Sequence, residues 1–121
     1  MLSFYDLQLP AEILRALDEL GFQTATDIQA QTIPLIRSGR DVIGRSQTGT
    51  GKTLAFGIPA VECIDPAMEE KGSAQVLILC PTRELAVQAG GELRKLSRFL
   101  PGVRCAEVYG GAPMDRQIAR L

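Results

Sequence analysis

The 121-residue sequence has no histidine, no tryptophan, only three cysteines and only six aromatic side chains. Without histidine there is no Ser–His–Asp triad, no Cys–His dyad and no imidazole metal site. Cys63, Cys80 and Cys105 are too widely spaced for a Cys-x-x-Cys pair, which excludes the usual zinc knuckle and any metal cluster built on one. Each lies in an apolar stretch, so all three are expected to be buried packing residues in a reducing compartment. No apolar run approaches the roughly 18 residues of a membrane span, and Met1-Leu2-Ser3 begins no signal-peptide pattern. The expectation is a soluble cytoplasmic protein with no membrane partner. With 45% apolar and 22% charged residues, nothing indicates disorder. At 13.1 kDa a compact chain would expose about 6,400 Å².

A net charge of -1 conceals an uneven distribution. Residues 1–70 carry five basic and ten acidic side chains, whereas residues 71–121 carry eight basic and four acidic ones. The second half is suited to a polyanion, and equally to a mixed solvated surface.

Apolar periodicity predicts a helix over residues 11–20, started by Pro10 and stopped by Gly21. A second spans 27–38, with Thr26 as N-cap and Gly39 as terminator. A short strand over 41–45 leads through a glycine-rich turn into a helix over 52–64. Residues 65–73 read as a loop, 75–80 as a buried strand, 84–98 as a helix with Leu85, Ala89, Leu93 and Leu96 on one face, 104–109 as a third strand and 113–121 as the start of another helix. Alternating strands and helices imply an α/β fold, a parallel sheet with flanking helices and right-handed crossovers. Ligands in such sheets gather where strands end and helices begin, here at residues 46–53, 81–84 and 110–113.

Ser46-Gln47-Thr48-Gly49-Thr50-Gly51-Lys52-Thr53 ends in the Gly-Lys-Thr of a phosphate-binding loop. Gly49 and Gly51 allow backbone N–H groups to converge on phosphate oxygens, and the following helix aims its positive end at the same place. Lys52 supplies a compact cation, and the Thr53 hydroxyl is a ligand for Mg²⁺. Ser46 stands where the strict pattern has its first glycine. Such a loop specifies a nucleoside triphosphate and no particular chemistry.

Four motifs in order narrow the class. Phe4 lies 17 residues before Gly21-Phe22, and Thr24-Ala25-Thr26-Asp27-Ile28-Gln29 follows. The phosphate loop comes next, then Pro81-Thr82-Arg83-Glu84-Leu85-Ala86, then Gly110-Gly111. This set resembles the DEAD-box RNA helicases over nearly the whole chain, with Ala25 in place of the family's usual proline. The resemblance implies a P-loop NTPase (RecA-like) domain, incomplete in this chain, with residues 1–40 as its Q-motif region and 41–121 as its first three strands and helices. ATP and Mg²⁺ are the implied cofactors, and RNA, ATP/ADP and a second helicase domain the implied partners. Gln29 would read adenine through its amide, Phe22 or Phe4 would pack on the base, and Thr24 and Thr26 would belong to the same nucleotide site. Thr26 and Gln29 also have capping-box spacing, so a purely local role for Gln29 stands beside the first.

Thr82 is a natural N-cap, which puts Arg83 at the first helical position, where a cation opposes the helix dipole. An anion at that helix end reverses the penalty. The resemblance supplies an RNA phosphate held by Pro81, Thr82, Arg83, Glu84, Gly110 and Gly111; the alternative is a solvated arginine paired with Glu84. Arg94, Lys95 and Arg98, near a helix end, are expected to be structural. Two other classes fit parts of the pattern: a GTPase or nucleotide kinase, and a nucleotide-binding module without catalysis. The family's Asp-Glu-Ala-Asp element does not occur in residues 1–121, so these residues are expected to bind nucleotide without RNA-stimulated turnover.

Overall fold

The computed structural model describes residues 2–46, 51–68, 74–111 and 113–120. It opens with a 3-10 turn at Phe4–Leu7. Ser3 caps this turn: its Oγ accepts the Tyr5 N–H at 3.2 Å, and its own N–H donates to the Asp6 carboxylate at 3.1 Å. Helix α1 (Ala11–Glu19) follows Pro10 and ends at Gly21, whose φ of +83° suits glycine. The chain then returns along its own start. Ser3 and Thr24 form an antiparallel bridge, flanked by Phe4 N–H to the Gln23 carbonyl at 3.1 Å and Ala25 N–H to the Leu2 carbonyl at 2.8 Å.

Four further helices follow: α2 (Asp27–Arg37), α3 (Lys52–Glu62), α4 (Arg83–Leu96) and α5 (Met114–Arg120). Their extents agree with the sequence expectation to within two residues at nearly every end, which is where helices fray. α2 packs on α3, α3 on α4, and α1 on α4. Gly57 permits the α3–α4 approach, because a Cβ there would lie 2.9 Å from Leu93 Cδ2. The deepest side chains are Phe4, Ile13, Leu17, Ile33, Ile58 and Leu96, drawn from every helix but α5 and from the opening turn. Each such burial contributes on the order of 1.5–3 kcal/mol.

Polar ties hold the periphery. Arg37 donates to the Leu7 carbonyl at 2.7 Å and pairs with Glu62 at 3.0 Å, joining the opening turn, α2 and α3. Arg98 pairs with Glu19 at 3.0 Å, and Arg15 lies 4.1 Å above the Phe99 ring, linking α1 to the end of α4.

The three strand segments are non-helical, and no β-ladder joins them among the described residues. Exposure alternates residue by residue over 75–80 and 103–109, the period of an extended, pleated chain. Two side-chain expectations are corrected. Leu85 is exposed, leaving Ala89, Leu93 and Leu96 as the buried face of α4. Cys63 is exposed, and Cys80 and Cys105 are only half-buried. Cys63 sits at the C-cap of α3, beyond its packed face, while the other two lie in extended segments covered on one side. No described helix is long and apolar enough to cross a membrane.

Candidate nucleotide and nucleic-acid sites

The amino end of α3 is the first site. Gly51 caps it with φ +89°, a conformation that favours glycine, and its carbonyl accepts a hydrogen bond from Gln29 Nε2 at 3.1 Å. A Cβ on Gly51 would lie 2.9 Å from Thr26 Oγ1 and 3.0 Å from Gln29 Nε2. The start of α2 is therefore seated directly against the phosphate loop. Lys52 and Thr53 occupy the first turn of α3, half-buried, where the free N–H groups and the dipole favour an anion. Upstream, a Cβ on Gly44 would lie 3.1 Å from Ile28 Cδ1, so α2 and the segment leading to the loop also approach closely. Ser46 is half-buried; Gln47, Thr48, Gly49 and Thr50 lie outside the described residues.

Gln29 is 2% exposed and forms a full capping box. Its Oε1 accepts the Thr26 N–H at 2.9 Å, and its N–H donates to Thr26 Oγ1 at 3.4 Å. The local role foreseen from the spacing is thus real. The cap and the Gly51 bond together leave one lone pair on Oε1 and one N–H on Nε2, the complement that an adenine edge presents. Of the two candidate aromatics, Phe4 is 1% exposed and belongs to the core, whereas Phe22 is 45% exposed and is the surface ring of the pair. Thr24 is exposed beside it and held by the bridge to Ser3. Among the described residues no three Cys, Asp or Glu side chains converge as a metal site.

The second site lies at the amino end of α4. Thr82 Oγ1 accepts the Leu85 N–H at 3.2 Å, so Arg83 does take the first helical position. Arg83 and Glu84 form a loose surface pair at 3.7 Å, of a kind contributing about 0–1 kcal/mol. Such a pair yields readily to a stronger anion. Beside it is an open depression of about 640 Å³, lined by Arg83, Glu84, Val87, Gln88, Tyr109, Gly111 and Pro113. Gly111 has φ +88°, and a Cβ there would lie 2.9 Å from Arg83 Nη1. Gly110 has nothing within 4 Å of its would-be Cβ, so its backbone is open to a ligand. Pro81 is exposed at the start of this face. The structure thus brings together the Pro81–Glu84 and Gly110–Gly111 motifs, which stand about thirty residues apart in sequence.

Sequence reasoning missed several residues here. Gln117 of α5 is buried against Tyr109, and Glu107 takes a two-pronged pair with Arg94. That hydrogen bond raises the Arg94 guanidinium above its ordinary value, while burial pushes the Cys105 thiol up. Gly90 makes room for the pair, since a Cβ there would lie 2.0 Å from Glu107 Oε1. A single sequence carries no signal for these contacts. Of the three basic residues expected to be structural, Arg94 pairs with Glu107 and Arg98 with Glu19, while Lys95 lies in the last turn of α4.

The chain has counterparts among known proteins. The sequence profile described as "DEAD/DEAH box helicase" matches residues 26–121. The chain belongs to the DEAD/DEAH box helicase family. It is 48% identical, over 99% of its length, to the DEAD-box ATP-dependent RNA helicase CshA of Bacillus licheniformis, of which it covers 24%. Among solved structures, a DEAD box protein from Methanococcus jannaschii superimposes with a TM-score of 0.88 at 34% identity, over all of this chain and 32% of that one. The RNA helicase Prp28 from Chaetomium thermophilum, bound to ADP, gives 0.88 at 34% identity, over 98% of this chain and 29% of that one. The fold is that of the P-loop NTPases of this family. The chain spans about a quarter of the length of the curated relatives it matches.

Proposed function

We propose that the chain is the ATP-binding portion of a cytoplasmic, ATP-dependent RNA helicase that remodels RNA duplexes at the expense of ATP hydrolysis. The observation that carries this reading is the hydrogen bond from Gln29 Nε2 to the Gly51 carbonyl, which wires a base-reading amide to the phosphate loop. In this reading Gln29 keeps its cap and uses its remaining lone pair and N–H on the adenine edge. Phe22 offers the base an aromatic face, Phe4 supports it from the core, and Thr24 and Thr26 fix the segment between them. Ser46, Gln47, Thr48, Gly49, Thr50 and Gly51 are the loop residues whose sequence suits them to bind the phosphates. Lys52 takes the terminal phosphates, and the Thr53 hydroxyl holds Mg²⁺. The residues present fit a metal-bound phosphate: Lys52 and the positive end of α3 attract the anion, and Thr53 in the same turn offers a hydroxyl oxygen that would ligate the cation on it. When bound, Mg²⁺ neutralises charge on the phosphate oxygens.

The parallel sheet belongs to the same reading: segments 41–45, 75–80 and 104–109 are strands whose neighbours are supplied by more of the domain, and a second helicase domain completes the machine. RNA lies across the depression at α4, its phosphates held by Thr82 and Arg83 at the helix end and by the bare backbone of Gly110 and Gly111, with Pro81 and Glu84 bounding the contact. Binding of this kind is independent of sequence, in keeping with a chain poor in aromatics for stacking. Residues 1–121 hold nucleotide but lack the acidic pair that would organise hydrolysis.

Competition binding tests the nucleotide reading. Unlabelled ATP is expected to displace a fluorescent ADP at least tenfold more effectively than GTP. Equal displacement would remove adenine recognition from Gln29. In the same samples, phosphate release is expected to be the same with and without RNA; RNA-dependent release by residues 1–121 would refute their proposed lack of RNA-stimulated turnover.

A further inference from the structure

Gln117 belongs to none of the motifs that identify the two sites, yet it is 8% exposed and fully engaged. Both ends of its carboxamide meet the backbone of one residue: Oε1 accepts the Tyr109 N–H at 2.6 Å, and Nε2 donates to the Tyr109 carbonyl at 3.0 Å. A paired β-strand would satisfy an extended residue in the same two-point fashion. Tyr109 immediately precedes Gly110-Gly111, and Tyr109, Gly111 and Arg83 share the walls of one depression. The turn and Arg83 are close neighbours, since a Cβ on Gly111 would lie 2.9 Å from Arg83 Nη1.

We infer that Gln117 is a positioning residue for nucleic-acid binding: by gripping the Tyr109 backbone it holds the Gly110-Gly111 turn beside Arg83, so that the turn's backbone and the guanidinium face one RNA phosphate together. This rests on the reading of the depression as an RNA-backbone site. Gln117 touches no ligand itself. Its reach runs through α5, so any shift of that helix is passed to the turn. A purely structural role has a matched control within the chain. Gln75 makes the same two-point clamp, on Asp65 at 2.8 and 2.9 Å, and lines no part of the depression.

The test is a titration of the chain with a single-stranded oligouridine, followed by NMR, with the Mg·ADP affinity measured on each sample. Gln117→Leu is expected to weaken RNA binding at least fivefold while ADP affinity stays within twofold. Gln75→Leu is expected to change neither. Equal RNA losses for the two glutamine variants would reduce Gln117 to a structural clamp and overturn the inference. So would unchanged RNA affinity in Gln117→Leu when Arg83→Ala weakens it. If Arg83→Ala also leaves RNA binding unchanged, the RNA reading itself falls, and the inference with it. Should Gln117→Leu fail to fold, the unaltered chain decides. RNA is then expected to slow hydrogen exchange at the Tyr109 amide and not at Asp65, and unchanged exchange at Tyr109 overturns the role.

Discussion

Gln29 serves two partners with one carboxamide, and the way each partner was or was not foreseeable is instructive. The Thr26 cap lies three residues away, within one helical turn, so spacing alone predicts it. The Gly51 carbonyl lies 22 residues away and is reached only because α2 and α3 pack together, which no local pattern encodes. The same division separates Arg83, whose place at a helix start follows from Thr82, from Gln117, whose partner depends on where α5 docks. Removing the Gln29 amide breaks bonds of both kinds. Gln29→Ala is expected to cost about 1–2 kcal/mol, combining the lost cap on the Thr26 N–H with a Gly51 carbonyl left without its partner. Urea denaturation measures this, and an unchanged midpoint would mean that neither bond holds the fold.

Helices were legible because their apolar face and their caps both lie within a few residues of each other. Ile13 and Leu17 of α1, and Ala89, Leu93 and Leu96 of α4, fall on the faces their spacing implies. Leu85 does not, because the first turn of α4 projects past its neighbours, and exposure there depends on tertiary cover that periodicity does not record. Within α4 two adjacent glycines behave differently. A Cβ on Gly90 would collide with Glu107, whereas one on Gly91 would meet nothing within 4 Å. Gly91→Ala is expected to stabilise the chain by about 0.5–1 kcal/mol through helix propensity. Gly90→Ala gains the same propensity but displaces the Arg94–Glu107 pair, and is expected to destabilise by about 1–3 kcal/mol. Thermal unfolding of the two variants checks this, and a shift of the same sign in both would contradict the packing of α4 on residues 103–109.

At the scale of the molecule, the accessible surface is 8617 Å², roughly a third more than the 6,400 Å² a compact chain of this mass exposes. The excess has an identifiable source: Ile43, Leu77 and Leu79 are each at least 80% exposed, all within strand segments that lack a ladder among the described residues. The strand expectation rests on branched apolar runs alone, and no pairing joins these segments among the described residues, since partners in a sheet are set by the whole topology. Three cysteines expected in the core lie partly or wholly open, two of them in these same segments. The well-packed part of the molecule builds the first site, α2 seated on α3 behind the phosphate loop, whereas at the second Gln117 is the one buried residue of α5 among those described.

That seating is worth having only if α3 holds phosphate. The decisive measurement is the affinity of the chain for Mg·ADP by calorimetric titration, beside that of Lys52→Ala. Saturable binding that the substitution weakens at least thirtyfold, with the unfolding midpoint unchanged, is the expected result. Equal affinity in the two proteins would mean that the amino end of α3 is not the nucleotide site.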